Sequence, residues 1–255
     1  MKEGPAKTSQ AAPAPVAEHV VSLDVSGRPI TLGIYGEGRC AVILAPGAGG
    51  TRQTPQLRGV AAFLDPARYT TILLNFPYQE ARRKFPDKAE VCEETFALVA
   101  RHARAKLAAS KLVLGGRSMG GRMAAQAVAK GLVCDGLAFL AYPLHPPGQE
   151  TKLRDAHLGA IPSPMLFLQG TRDEFARLDL LKATIERLGP IAELVLFGDA
   201  DHSFKTPRGA AATSKQTEAA VFAHLAGWLD NLAPEETPPR DSEGRSAASI
   251  PSLSA

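Results

Sequence analysis

The chain has 255 residues, 45% of them hydrophobic, and a formal net charge of +3, a length and balance that suit one generous α/β domain. Basic residues are scattered among acids, Arg82-Arg83-Lys84 is the one dense cluster, and aromatics make up 6%. A nucleic-acid partner, which calls for a basic stripe with stacking aromatics, is therefore not expected.

The start MKEGPAK has no apolar run behind its charges, and nowhere do about 18 apolar residues follow one another, so neither secretion nor a membrane span is supported. A soluble cytoplasmic protein is the expectation. Cys40, Cys92 and Cys134 are odd in number and far apart. They exclude a complete disulfide framework or a CxxC metal pair and read as small buried hydrophobes.

In chain order, residues 1–17 are Ala, Pro, Lys and Ser with little to bury, and read as a disordered tail. Residues 18–232 form the domain, and 233–255, again Pro, Glu, Ser and Arg, a second tail. The domain opens with alternating residues over His19–Val25, a turn at Ser26-Gly27-Arg28-Pro29 and alternation again over Ile30–Tyr35, the pattern of an antiparallel hairpin. Short apolar runs follow: Ala41–Leu44, Thr70–Leu74, Lys111–Leu114, Gly136–Leu140, Met165–Leu168 and Glu193–Phe197. Strands buried on both faces of a parallel sheet read this way.

Helical segments separate the runs: Pro55–Leu64, Lys88–Leu107, Met119–Lys130 closed by Gly131, Phe175–Leu188 closed by Gly189, and Ser214–Leu229. In the second of these, Val91, Thr95, Leu98, Val99 and His102 fall on one face. The alternation predicts a doubly wound, mostly parallel α/β sheet with ligands at the carboxyl ends of its strands. Residues 141–164 are too few for a large cap domain.

One run leads directly into Gly116-Arg117-Ser118-Met119-Gly120 and then a small-residue helix. A strand turning into a helix within so few residues strains the serine backbone and pushes its hydroxyl above the sheet edge. A Cβ at Gly116 or Gly120 would collide there. A serine needs a base, and the base an acid to orient it. Two further strands end in Gly170-Thr171-Arg172-Asp173-Glu174 and Asp199-Ala200-Asp201-His202-Ser203-Phe204, so Asp173 and His202 reach the same rim as Ser118. Glu174 is a neighbouring rival for the acid. Oxyanion donors are expected from the amide of Met119 and from the loop Pro46-Gly47-Ala48-Gly49-Gly50, Ala48 first and Gly49 second.

Further pocket candidates are Arg117, as a clamp for an anionic substrate, Tyr78, and His145, which either lines the pocket or is an ordinary loop residue. No Walker loop, dinucleotide fingerprint or metal-binding histidine motif is present, and no cofactor is expected.

The loops APGAGG, GGRSMGG, GTRDEF and DADHSF resemble those of the α/β-hydrolase superfamily, in its dienelactone-hydrolase-like branch. Within it they are most similar to the small group of testis-expressed hydrolase-like proteins and a lysine-acetyltransferase complex subunit. The resemblance covers about His19 to Asp230 and implies Ser118 as nucleophile, Asp173 as acid and His202 as base. Pro46 departs from the histidine many relatives carry there. Dienelactone hydrolases proper use a cysteine where this chain has Ser118, so their substrate does not transfer. The expected function is an esterase or thioesterase acting on a small-molecule substrate. A binding or scaffold module with the same fold is the alternative, and the sequence leaves the oligomeric state open.

Overall fold

The computed structural model describes residues 17–232. The segments read as tails, apart from Ala17, lie outside the described residues. Eight strands form one sheet: β1 (His19–Val25), β2 (Arg28–Tyr35), β3 (Cys40–Ala45), β4 (Tyr69–Leu74), β5 (Lys111–Arg117), β6 (Gly136–Leu140), β7 (Met165–Gly170) and β8 (Ala192–Phe197). Their order is β1-β2-β4-β3-β5-β6-β7-β8, parallel from β4 to β8, with β1 and β2 antiparallel at one edge. This is the α/β-hydrolase fold.

Among the described residues six α-helices flank the sheet: α1 (Pro55–Phe63), α2 (Pro77–Glu80), α3 (Ala89–Lys106), α4 (Met119–Ala129), α5 (Leu178–Leu188) and α6 (Ser214–Leu232). Helices α3 and α4 cover one face through Phe96, Val99, Met123 and Ala124, and α1 and α6 the other through Leu57, Val60, Leu225 and Leu229. With both faces covered, β3 to β7 bury nearly every residue, which is why they read as unbroken apolar runs. Each fully buried leucine or isoleucine in them contributes about 2 kcal/mol. All three cysteines are buried and free, and burial pushes the Cys92 thiol up to about 12.

Several expectations are corrected. The hairpin turn is only Ser26-Gly27, both in the left-handed region at φ 51° and 78°, the two-residue loop that suits the twist of paired strands. Strand β2 therefore starts at Arg28 rather than Ile30. Pro29 is tolerated because β4 pairs only with residues from Leu32 onward, so its missing N–H interrupts no bond on that side. Strand β8 is the far edge, with Glu193 exposed and Leu194–Leu196 only half-buried, so it is not covered on both faces. The buried stripe of α3 runs through Cys92, Thr95, Phe96, Val99 and Ala103, rotated away from Val91, Leu98 and His102. The helix expected from Phe175 begins at Leu178, for a reason that belongs to the site.

Residues 141–164 hold a single short 3₁₀ turn, Leu158–Ala160, and no cap domain. No helix among the described residues is long and apolar enough to cross a membrane.

Candidate active site

Strands β3 and β5 are neighbours although β4 lies between them in sequence, so connections leave in opposite directions at this point. That is where an open parallel sheet forms its crevice. The loop after β3 and the turn after β5 face each other across it.

The turn after β5 is held by backbone contact. A Cβ at Gly116 would lie 2.1 Å from the Ala45 carbonyl oxygen, and one at Gly120 would lie 2.2 Å from the same atom. The end of β3, more than the strand-helix approach itself, imposes both glycines. Ser118 sits between them at φ 51° and ψ −116°, a conformation non-glycine residues rarely adopt, and its amide is held by Leu140 O at 3.0 Å. The helix α4 begins at Met119, whose amide belongs to the first turn, where helical N–H groups have no partner within the helix.

The structure brings three of the sequence-predicted residues into one hydrogen-bonded line. Ser118 Oγ donates to His202 Nε2 at 2.9 Å, and His202 Nδ1 donates to Asp173 Oδ2 at 2.7 Å. The Asp173 side chain is fully enclosed, whereas Glu174 is exposed. Asp173 Oδ2 also accepts Gln169 Nε2 at 2.5 Å and Oδ1 accepts the Phe175 amide at 2.8 Å. The second bond is an Asx turn that keeps residues 173–177 out of helix α5. It also places the Phe175 ring against the His202 imidazole, centroids 4.3 Å apart.

In the loop after β3, Gly50 N donates to Gly47 O at 3.1 Å, closing a turn with Gly49 at φ 77°. Among the described residues the Ala48 amide donates to no protein acceptor, and Ala48 is exposed beside the elbow, the turn from β5 into α4 that carries Ser118. Tyr78 lies behind this loop, not on the pocket wall: it is 1% exposed, burial raises its phenol, and the Gly49 amide pulls in the opposite direction. Gln79 Nε2 bonds both Gly50 O and the Tyr78 hydroxyl.

His145 is also interior. Its Nδ1 donates to Pro146 O at 2.9 Å and its Nε2 accepts the Arg177 amide at 2.8 Å, which leaves neither nitrogen for a ligand. It braces the loop that carries Asp173. Arg117 turns toward the histidine loop, bonding His202 O at 3.2 Å and Ser203 Oγ at 2.9 Å.

The sequence reading missed Gln169, Phe175, Asp201 and Ser203. Gln169 is a polar residue ending an apolar run, a visible signal; it is fully buried and accepts the Tyr142 amide at 2.9 Å while donating to Asp173. Asp201 Oδ1 accepts the amides of Ser203 at 2.7 Å and Lys205 at 2.9 Å, shaping the histidine loop.

Residues 38–230 match the family described as "Alpha/beta hydrolase domain". The chain belongs to that family. Among solved structures, a dienelactone hydrolase from Anabaena variabilis is 20% identical, with 86% of this chain and 99% of that one aligned at a TM-score of 0.68. An alpha-beta serine hydrolase homologue from Coxiella burnetii is 19% identical over 83% and 97%, TM-score 0.67. A serine hydrolase without lid from Xanthomonas campestris is 19% identical over 86% and 95%, TM-score 0.62. At these identities the likeness establishes the shared fold.

Proposed function

We propose that this chain is a serine hydrolase of carboxylesterase or thioesterase type working through an acyl-enzyme. The observation that carries this reading is the unbroken line from the strained Ser118 hydroxyl through His202 to the enclosed Asp173 carboxylate. In the first half-reaction Ser118 Oγ bonds to the acyl carbon while His202 Nε2 takes its proton and the carbonyl electrons move to oxygen. Asp173 holds the ring and stabilises the imidazolium. The amides of Met119 and Ala48 face the oxyanion, each such donor lowering the barrier by about 3 kcal/mol; the Gly49 amide, the second choice from the sequence, is turned to the buried Tyr78 hydroxyl instead. Collapse breaks the C–O or C–S bond, and the leaving oxygen or sulfur takes the proton from His202. Water, deprotonated by His202, then releases the acid and restores Ser118. Every proton in this cycle moves between the chain's own residues, substrate and water, so no cofactor is called for.

With no cap domain over the rim, small or extended acyl groups suit the site better than long buried lipids. Within the superfamily, the four loop motifs support placing the chain near the testis-expressed hydrolase-like group. A fluorophosphonate probe tests the reading: it labels the wild type and not Ser118→Ala. His202→Ala lowers ester turnover by about 10⁴-fold or more while folding normally. No labelling of the wild type would instead favour a binding module. A panel of p-nitrophenyl esters and acyl thioesters separates the two bond types.

A further inference from the structure

Arg117 and Ser118 are consecutive, and both reach the same histidine. Ser118 Oγ meets the imidazole at Nε2, 2.9 Å away, while Arg117 Nη2 donates to the backbone carbonyl of His202 at 3.2 Å and to Ser203 Oγ at 2.9 Å. The polar atoms close a ring: elbow backbone, serine side chain, imidazole, histidine backbone, guanidinium. From this ring we infer that Arg117 is a positioning residue, holding the His202 backbone against the elbow so that the imidazole stays within proton-transfer reach of Ser118. The inference rests on the hydrolase reading above and assigns Arg117 a role other than substrate binding.

The histidine loop has other ties, Arg172 N to Ala200 O at 2.9 Å and Gln56 Nε2 to Ser203 O at 3.4 Å, but neither reaches the elbow. Its internal bonds, Asp201 Oδ1 to the amides of Ser203 and Lys205 and the Phe204 amide to Asp201 O at 2.9 Å, set its shape but not its distance from the elbow. Asp173 fixes the ring through one nitrogen alone. Arg117 supplies a backbone anchor on the side where the nucleophile lies.

The same geometry removes the clamp. A guanidinium grips a carboxylate with two parallel N–H groups, and either fork it can offer, Nη1 with Nη2 or Nε with Nη2, needs Nη2. Both Nη2 hydrogens are engaged by the loop. Nε is buried without a partner among the described residues, and Nη1 lies beside Gly47, where a Cβ would approach it to 3.1 Å. Burial disfavours the Arg117 charge, and Asp173 and Asp201 oppose that effect.

The test compares Arg117→Met, Arg117→Lys, Ser203→Ala and the Arg117→Met/Ser203→Ala double variant on p-nitrophenyl acetate and on p-nitrophenyl hemisuccinate, which carries a carboxylate. Arg117→Met is expected to lower kcat by about 10–100-fold on both esters, the cost of a histidine displaced by about an ångström, with KM within about twofold. Arg117→Lys, keeping one donor, recovers part of kcat. Ser203→Ala loses about threefold, and the double variant is no slower than Arg117→Met, because one tie is being removed twice. Wild-type kcat in Arg117→Met overturns the inference. So does a loss confined to KM for the carboxylated ester, or Ser203→Ala effects that multiply with those of Arg117→Met. Should Arg117→Met fail to fold, Ser203→Ala decides: a several-fold fall in kcat supports the tie and an unchanged kcat rejects it. A wild type that no fluorophosphonate labels removes the hydrolase reading and this inference together. A labelled wild type with unaltered Arg117→Met removes only the inference.

Discussion

The two halves of the candidate site are built by different means. The elbow around Ser118 is shaped by main chain pressing on main chain: Gly116 and Gly120 both abut the Ala45 carbonyl, and Gly115 abuts that of Ala138. The acid and histidine loops are shaped by side chains bonded to backbone, some of it local and some distant. Asp173 takes the Phe175 amide, Gln169 the Tyr142 amide, His145 the Arg177 amide, and Asp201 two amides of its own loop. The first kind of construction tolerates no added atom. The second tolerates added bulk better but depends on each polar partner being present.

The sharpest way to break the comparison is Gly120→Ala. The new Cβ would sit 2.2 Å from Ala45 O and 2.6 Å from Ala45 C, backbone atoms that cannot rotate away. A loss of about 3 kcal/mol or more in chemical denaturation is expected. Gly159→Ala is the control: nothing lies within 4 Å of its Cβ position, and a change within about 0.5 kcal/mol is expected. Similar losses for both would show that the elbow is not sterically closed.

This difference also explains what the sequence disclosed. The central strands were legible because burial on both faces leaves an unbroken apolar run. The elbow stands out because only glycine answers a backbone collision, and four of them, Gly115, Gly116, Gly120 and Gly121, cluster around one serine. The candidate histidine and acid stand out in the sequence by their position just beyond strand ends. What holds those loops was not, because the bonds join residues far apart in sequence: His145 to Arg177, Arg117 to Ser203, Tyr142 to Gln169. Helix α5 starts later than its composition suggests for a local reason. Residues 175–177 have helical composition, but the Asp173 carboxylate captures the Phe175 amide and delays the helix to Leu178. The half-buried β8 has the residue types of the buried strands, and only its place at the sheet edge distinguishes it.

A milder break lies in the second kind of construction. Gln169→Leu keeps the volume of a fully buried side chain but strips the Tyr142 amide of its acceptor and Asp173 of one donor. Removing one partner from buried polar groups costs about 1–3 kcal/mol. Asp173 keeps the Phe175 amide and His202, so turnover should fall by about tenfold, far less than on losing the base itself. Stability measured by denaturation together with kcat on a p-nitrophenyl ester checks this. Full stability in Gln169→Leu would mean the acid loop is set by packing and not by its polar ties.

The smallest effect concerns a histidine outside the site. The Tyr142 hydroxyl donates to Arg154 O at 2.7 Å, so at its 3.2 Å contact with His157 Nε2 the ring is the donor. Burial, and then the nearby Arg122 charge, hold this imidazole below its ordinary value of 6.5, with Asp155 opposing; Asp155 is itself paired with Arg187. A histidine depressed in the folded state binds its proton later on acidification than the same residue in the unfolded chain. As pH falls through about 6.5 the unfolded state gains protons first, so stability declines from there down to the depressed folded value. His102, lowered by burial and Lys106, has the same sign. His157→Gln removes one of these two contributions while keeping a donor for Tyr142. The fall in Tm between about pH 7.5 and about pH 5.5, which spans the ordinary histidine range, should therefore be shallower in the variant than in the wild type. Parallel Tm curves would show that His157 titrates alike in both states, and would place the acid sensitivity of this face elsewhere.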